Sequence, residues 1–332
     1  MERAAGLSVA DLQVPDIRRS VLELIAQVPA GRVTTYGRLA TALGDVVASR
    51  AVGRIIAEAG AEYPCHRVVY RDGRVGTWRA GESLRRLRAE GIRLQEDRIA
   101  DLPGLLLSEF SSEQPLKALR DLQDELRSRI STEPARSEYR TVGAVDLSYP
   151  GPWQAVGAYV RLEARSGRLL DFQTLQSEIN FPYIPSYLSF RELPVLLALL
   201  SQTRQSGLLP DVLMVDGNGI LHPRGAGIAS HLGVLLDLPT IGISKSLLCG
   251  QVDLSGMKRG EAREIRDAKR ANSIIGAALK TGERSKPIFV SIGHRIDLDS
   301  AIELTWRLAL KKLPEPIRQA HRACTVAAHP HA

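Results

Sequence analysis

The sequence predicts an α/β molecule in two differently patterned parts, a small helical N-terminal part with a helix-turn-helix pattern and a larger part built on apolar strands. Three observations predict it. Residues 14–60 break into helix-length segments separated by glycine turns. From about residue 138, apolar runs of strand length adjoin carboxylates. The length of 332 residues asks for two domains at roughly 100–200 residues each.

The elements follow in order. Val21, Leu22, Leu24, Ile25 and Val28 recur at helical spacing before the turn Pro29-Ala30-Gly31. Thr34-Thr35-Tyr36-Gly37 leads into a second helix, Arg38 to Leu43, stopped by Gly44. Ser49 is placed to cap a third helix, Arg50 to Ala59, ended by Gly60. Two short helices joined through a glycine turn make a helix-turn-helix pattern. Residues 100–137 are charged, with Leu116, Leu119, Leu122 and Leu126 at helical spacing, and read as a connecting helix with frayed ends. Val142 to Asp146 reads as a buried strand ending in a carboxylate, and Ala155 to Val160 as its hairpin partner. Pro194 to Leu200 reads as an apolar helix that Glu192 opens, with the proline in its first turn. Val212 to Asp216 and Ile288 to Ser291 are further strands. Acids where apolar strands end fit α/β architecture, in which sites gather at strand ends.

Composition excludes more than it selects. Hydrophobic residues at 44% and charged ones at 24% argue against a disordered chain. No apolar run reaches the ~18 residues of a membrane span, so no membrane association is expected. Met1 to Gly6 lacks a basic stretch followed by an apolar one, which predicts no secretory signal. Three cysteines, Cys65, Cys249 and Cys324, are too few for a disulfide framework, and with the missing signal they predict a reducing, cytoplasmic setting. The net charge of +7 suggests a polyanionic partner only weakly. Residues 1–100 carry sixteen arginines and no lysine, and arginine's planar fork suits phosphates and bases.

The first candidate site is Pro64-Cys65-His66-Arg67-Val68-Val69. A cysteine nucleophile must be thiolate-like, and a neighbouring histidine can arrange that; a buried structural cysteine is the ordinary alternative. Together with Pro29 to Ala40 and Ser49-Arg50-Ala51-Val52-Gly53, the segment resembles the DNA-binding and active-site domain of the O6-alkylguanine-DNA alkyltransferases, over about residues 14–95. The resemblance implies a winged helix-turn-helix-like domain in which Cys65 accepts an alkyl group once, without a cofactor. His66 would activate the thiol through a water and be oriented by Glu90, Arg50 would replace the extruded base, and Tyr36 would rotate the phosphate. Base chemistry inside a duplex requires such flipping. Three departures stand out. Only about 14 residues precede the first helix, so no counterpart of the family's N-terminal domain is expected. The loop from Gly53 to Cys65 is short and lacks Asn-Pro, and Trp78-Arg79-Ala80-Gly81 stands where Tyr-Ser-Gly-Gly is expected. The short N-terminus is shared with alkyltransferase-like proteins, which bind alkylated guanine without repairing it and have Trp in place of the cysteine. Cys65 favours transfer, and a damage sensor is the alternative.

The second candidate site gathers Asp146, Glu192 and Asp216 with His294 and Lys245. Hard Mg²⁺ prefers oxygen ligands, and phosphodiester hydrolysis needs a metal to orient water and stabilise the leaving oxygen. A single acid at a strand end is more often a cap. The segments Val145 to Tyr149, Pro182-Tyr183-Ile184-Pro185, Phe190-Arg191-Glu192, Asp216 to Gly219, His222 to His231, Ser244-Lys245-Ser246 and Gly293-His294 resemble endonuclease V over about residues 115–320. That family implies an RNase H-like α/β/α fold with a mixed central sheet. It also implies dependence on Mg²⁺, with Mn²⁺ as an alternative, and nicking at the second phosphodiester 3′ of deoxyinosine. Asp146, Glu192, Asp216 and His294 would then serve the metal, and Lys245 the phosphate. Tyr183, stiffened by its prolines, would wedge into the stack, while Arg191, Gly217 and Arg224 would contact DNA.

The expected organisation is an alkyltransferase-like domain over 1–100, a linker over 101–115 and a nuclease domain over 116–332, acting as a monomer on double-stranded DNA with O6-alkylguanine or deoxyinosine. Inosine in RNA is the alternative substrate of the nuclease part.

Overall fold

The computed structural model describes residues 12–76, 78–79 and 81–329; the opening Met1 to Gly6 and the Ala80 of the Trp78 segment lie outside them. The chain forms two compact units, one of Val14–Asp121 with Asn180–Tyr187, the other containing Leu122–Ile179 and the chain from Leu188 on.

In the first unit, α1 (Ile17–Ala26) is capped by Asp16, whose carboxylate accepts from the Arg19 N–H at 2.9 Å. It buries Ile17, Val21, Leu24 and Ile25, the single stripe that helical spacing requires. Thr34–Thr35 (β1) pairs in parallel with Val68–Val69 (β2). Between them, α2 runs over Tyr36–Ala42 and α3 over Ser49–Glu58. Thr35 caps α2 by accepting from the Arg38 N–H, so the helix starts two residues earlier than its apolar pattern. Ser49 is not the cap of α3. The helix begins at Ser49 itself, and the hydroxyl donates back to the Val46 carbonyl at 2.6 Å. The turn before it, Val46–Ala48, is capped by Asp45. Then follow α4 (Glu82–Ala89), the ribbon β3 (Leu94–Gln95) and β4 (Arg98–Ile99), and α5 (Leu102–Leu105). Residues 100–137 are therefore not one helix. After α5 the chain is irregular until α6 (Pro115–Ser128), which runs from this unit into the other.

The second unit is built on an eight-stranded mixed sheet. Its strands are β5 (Thr141–Gly151), β6 (Gln154–Glu163), β7 (Leu169–Glu178), β8 (Val212–Asp216), β9 (Thr240–Ser244), β10 (Ala262–Asp267), β11 (Ser273–Leu279) and β12 (Ile288–His294). Their order is β10-β11-β12-β9-β8-β5-β6-β7, with β5, β8 and β9 parallel and the other pairings antiparallel. The helices are α7 (Leu188–Gln205), α8 (Ile228–Leu236), α9 (Leu298–Leu308) and α10 (Glu315–Ala328). Val142, Ala144, Val212, Met214, Ile241, Val290, Leu304 and Ile317 meet in the main core, so the central strands are apolar on the face that α9 and α10 cover.

Two elements outrun their sequence signals. β5 continues past Asp146 to Gly151, pairing with β6 except for an irregularity between Ser148 and Gly151, so Asp146 lies mid-strand. α7 begins at Leu188 and carries Pro194 in its interior, with Glu192 in its second turn. The proline lacks an N–H for the Phe190 carbonyl, but burial of Leu193, Val195, Leu196, Leu199 and Leu200 outweighs that loss. Among the described residues no helix is long and apolar enough to cross a membrane.

Candidate active sites

In the first unit, Cys65 opens a tight 3-10 turn, Cys65–Arg67, just before β2. The thiol is 1% exposed. Burial pushes it up to about 11, helped by the nearby Glu62 carboxylate. His66 is also buried, and its Nε2 lies 2.7 Å from Glu90 Oε1. Burial lowers the imidazole below its ordinary value against the opposing pull of Glu90. Its Nδ1 is buried with no hydrogen-bond partner among the described residues, which leaves one ring nitrogen for a water. Glu90 follows the last residue of α4. It accepts from Arg67 Nε and Nη2 at 2.9 and 2.6 Å and from the Gly31 N–H at 3.1 Å. Burial pushes Glu90 up, but these donors and His66 outweigh it and hold the carboxyl at about 2. The ordered sequence is thus a fixed carboxylate, a neutral imidazole and a protonated thiol.

Beside this group a cavity of about 480 Å³ is lined by Tyr36, Arg50, Gly53, Tyr70, Trp78 and Arg79. Arg50 is exposed in the first turn of α3. Tyr36 opens α2, with its ring 5.3 Å from that of Tyr70. Burial pushes its hydroxyl up to about 12. Gly76 leaves room for the Tyr36 hydroxyl, which a Cβ there would meet at 2.5 Å. Trp78 stacks on His66 at 6.5 Å and donates its indole N–H to the Ala59 carbonyl at 3.3 Å. The segment Pro182 to Pro185 belongs to this unit. Phe181, Ile184 and Tyr187 are buried while Tyr183 is 60% exposed, and Tyr187 donates to Asp45 Oδ2 at 2.8 Å. The result is an anchored loop that presents one aromatic ring.

In the second unit, register sets the site. Val145 pairs with Val215, so the next residues, Asp146 and Asp216, lie side by side on parallel strands. Burial raises Asp146 and the charge of Asp216 raises it further. Glu192 comes from α7 and accepts from the Tyr149 hydroxyl at 2.7 Å. It is 8% exposed, and burial, with Asp146 and Asp216 as like charges, pushes it up to about 8. Lys245 follows β9 and donates to Asp216 Oδ2 at 2.6 Å. Burial lowers the ammonium, but Asp216 and Asp146 outweigh it and raise it. Three crowded carboxylates with one ammonium fit a divalent cation, because positive charge relieves both repulsion and burial.

Two predicted residues are placed differently. His294 is not with the carboxylates: it pairs with Thr240 at the start of β9, whereas Asp216 pairs with Ile243 three residues on. That is roughly 10 Å of strand, and His294 instead accepts from the Ser131 N–H at 3.1 Å and lies 3.7 Å from Asp237. The histidine at the site is His321 of α10, whose Nδ1 lies 2.8 Å from Asp146 Oδ2. Asp146, His321 and Cys324 each bring a ligand atom within 4.8 Å of the others. Sequence reading missed His321 because it sits on a helix, with no strand end to mark it. Arg191 is the second. Its side chain is buried, its guanidinium stacks 4.8 Å from the Tyr149 ring and it donates to the Pro152 carbonyl at 3.0 Å. It supports the tyrosine that holds Glu192 rather than facing solvent.

Arg224 is half-buried and donates to Gln123 Oε1 at 2.5 Å. Gly217 and Gly219 admit no side chain: a Cβ would meet Ile228 Cγ2 at 2.5 Å and the Ile292 carbonyl at 1.9 Å. Their immediate use is to let the loop after β8 lie flat on its neighbours.

Comparisons with known proteins agree with this division. The family model described as endonuclease V matches residues 124–322, and that of the 6-O-methylguanine DNA methyltransferase DNA-binding domain matches 16–92. A protein of Picrophilus torridus called bifunctional methyltransferase/endonuclease is 34% identical over 93% of this chain and 96% of its own length. An endonuclease V of a Roseiflexus species is 43% identical over 62% of this chain and 90% of its own. The catalytic domain of human endonuclease V superposes with a TM-score of 0.62 at 31% identity, covering 66% of this chain and 98% of that domain. Ciona intestinalis endonuclease V, solved with a DNA containing an inosine followed by a ribo-adenosine, superposes with a TM-score of 0.60 at 28% identity, covering 67% of this chain and 100% of its own.

Proposed function

Because the chain belongs to the endonuclease V family and matches a bifunctional methyltransferase/endonuclease along nearly its whole length, we propose that it repairs two purine lesions in DNA at two separate sites. The second unit nicks DNA beside deoxyinosine with Mg²⁺, or Mn²⁺ in its place. The first removes the alkyl group from O6-alkylguanine onto Cys65. The observation that carries the nuclease reading is the crowding of Asp146, Glu192 and Asp216: Asp146 and Glu192 are buried, and the charge of Asp216 raises the proton affinity of both.

Asp146, Asp216 and Glu192 hold the cation in this reading, with His321 at its edge, and the bound ion supplies water activation and stabilisation of the leaving oxygen. The chain's own groups do the rest. Tyr149, backed by Arg191, fixes Glu192; Lys245 orients Asp216 and faces the phosphate charge; Tyr183 enters the base stack from its anchored loop. In the first unit the vacant Nδ1 of His66 takes the Cys65 proton through a water, and Glu90 stabilises the imidazolium. The alkyl carbon then passes from guanine O6 to Sγ, and the proton ends on the restored guanine. Arg50 holds the gap left by the flipped nucleotide.

The protonated, buried state of Cys65 favours a second reading of that unit, a sensor that binds O6-alkylguanine without transfer. The ribo-adenosine in the Ciona complex likewise favours testing RNA. The deciding assay incubates the protein with O6-methylguanine and deoxyinosine duplexes, and with matched inosine RNA, with Mg²⁺ or EDTA. The proposal expects a gain of one methyl on Cys65 in both buffers and nicking of the deoxyinosine strand in Mg²⁺ alone. Binding without methyl gain would establish the sensor, and cleavage confined to RNA would move the nuclease substrate.

A further inference from the structure

Phosphodiester hydrolysis by a hard cation explains the carboxylates, but it gives no role to the thiol beside them. Cys324 lies one helical turn after His321 on α10, at the i, i+3 spacing that puts both side chains on one helix face. That face meets β5 at Asp146, where an imidazole, a carboxylate and a sulfur converge within 4.8 Å. We propose that Asp146, His321 and Cys324 form a second, thiophilic cation site, suited to Zn²⁺ or Co²⁺, that shares Asp146 with the hard-cation site.

The donor set decides the class of ion. Carboxylate and water suit Mg²⁺, whereas one thiolate, one imidazole and one carboxylate match the borderline-soft ions. Ligand atoms around tetrahedral zinc stand about 3.3–3.8 Å apart, given metal–ligand distances of about 2.0–2.3 Å, so the widest separation, up to 4.8 Å, closes by side-chain shifts of about 1–1.5 Å. The Asp146–His321 hydrogen bond, 2.8 Å now, opens to admit the ion. Binding forms a metal–sulfur bond and breaks the Cys324 S–H bond, and the proton leaves to the buffer. The His321 side chain is 58% exposed and Asp146 10%, so the ion enters from the imidazole side and a water completes its shell. Cys324 is fully buried against Val156 and Ala158, which holds the sulfur in place before the ion arrives. The site rests on the functional reading above through Asp146 and His321, and an ion held there takes a ligand that Mg²⁺ needs. Zn²⁺ therefore inhibits nicking by competition.

The test uses full-length protein with Co²⁺ alone and no nucleic acid. The expected result is near-ultraviolet thiolate-to-cobalt absorption saturating at one equivalent, displaced by Zn²⁺. It persists in a Cys65→Ser/Cys249→Ser double variant and is lost in Cys324→Ser. Direct Zn²⁺ titration should show at least tenfold weaker binding in Cys324→Ser and in His321→Ala. The second variant keeps the thiol, so the inference stays testable where the first does not fold. Absent absorption in the wild type, or absorption that survives Cys324→Ser, overturns the site. Nicking in Mg²⁺, measured on the same preparation, reports separately on the functional reading: its failure beside an intact cobalt signal would sink the nuclease and leave the thiophilic site standing.

Discussion

Asp146 and Asp216 occupy neighbouring positions on β5 and β8, and the charge of one raises the other. Asp146→Asn or Asp216→Asn keeps the shape and removes one charge. Nicking should fall by on the order of 10²-fold or more, since even residues that only support metal ligands carry 10- to 100-fold effects. Asp146→Asn should not lower, and should slightly raise, the melting temperature in EDTA, because the wild-type carboxylate is buried against repulsion. His321→Ala should cost nicking 10- to 100-fold by the same standard, while His294→Ala should leave the single-turnover rate within a few-fold. Equal losses from both histidines would count against the placement of the site. Glu90 carries a pH prediction. Its carboxyl sits near 2 in the folded chain against an ordinary 4.5, so its contribution is fully present above about 4.5 and is lost as pH falls from there toward 2. Urea unfolding as a function of pH should show Glu90→Gln less stable than wild type at neutrality and converging with it over that window.

Cys65 and His66 were legible because they are adjacent in sequence, whereas Glu90 was named only through the family resemblance. Asp216 was legible because an apolar strand ends on it. His321 was not, because a histidine on an amphipathic C-terminal helix carries no local signal of the strand it faces. Arg191 was expected to contact DNA from the resemblance of Phe190-Arg191-Glu192, yet neighbours on a helix point different ways, and only packing shows that Arg191 lies against Tyr149.

At the scale of elements, α7 shows what single-sequence patterns miss. Its first turn, Leu188 to Arg191, precedes the apolar run, and Pro194 resembles a start signal rather than an interior residue. Pro194 is exposed, so Pro194→Ala removes no buried contact and supplies an N–H. Thermal or urea unfolding should show a gain of about 1–3 kcal/mol, bounded by the usual cost of an interior proline; a loss would mean that the proline shapes the helix for packing. β5 shows the opposite failure. Its continuation through Ser148-Tyr149-Pro150 lacks apolar alternation, and pairing with β6, irregular between Ser148 and Gly151, makes the strand. That extension places Tyr149 to hold Glu192. Where the pattern was dense, as in α1, β8 and the apolar part of β12, sequence and structure agree to within a few residues, because burial of a continuous stripe or run dictates both.

At the scale of the whole molecule, the proposed function gives the two units chemically independent sites. One needs a thiol, an imidazole and a carboxylate, the other carboxylates and a divalent cation. The net charge of +7 hides this division, since the acids that gather a cation offset basic groups such as Lys245. The claim that the sites are separate is tested most directly on one preparation each of wild type, Asp216→Asn and Cys65→Ala. Each is challenged with a single duplex carrying O6-methylguanine on one strand and deoxyinosine on the other, in Mg²⁺. Intact mass reads methyl transfer and a denaturing gel reads nicking. The account predicts both signals in wild type, methyl gain without nicking in Asp216→Asn, and nicking without methyl gain in Cys65→Ala. Loss of both signals from either folded variant would contradict it.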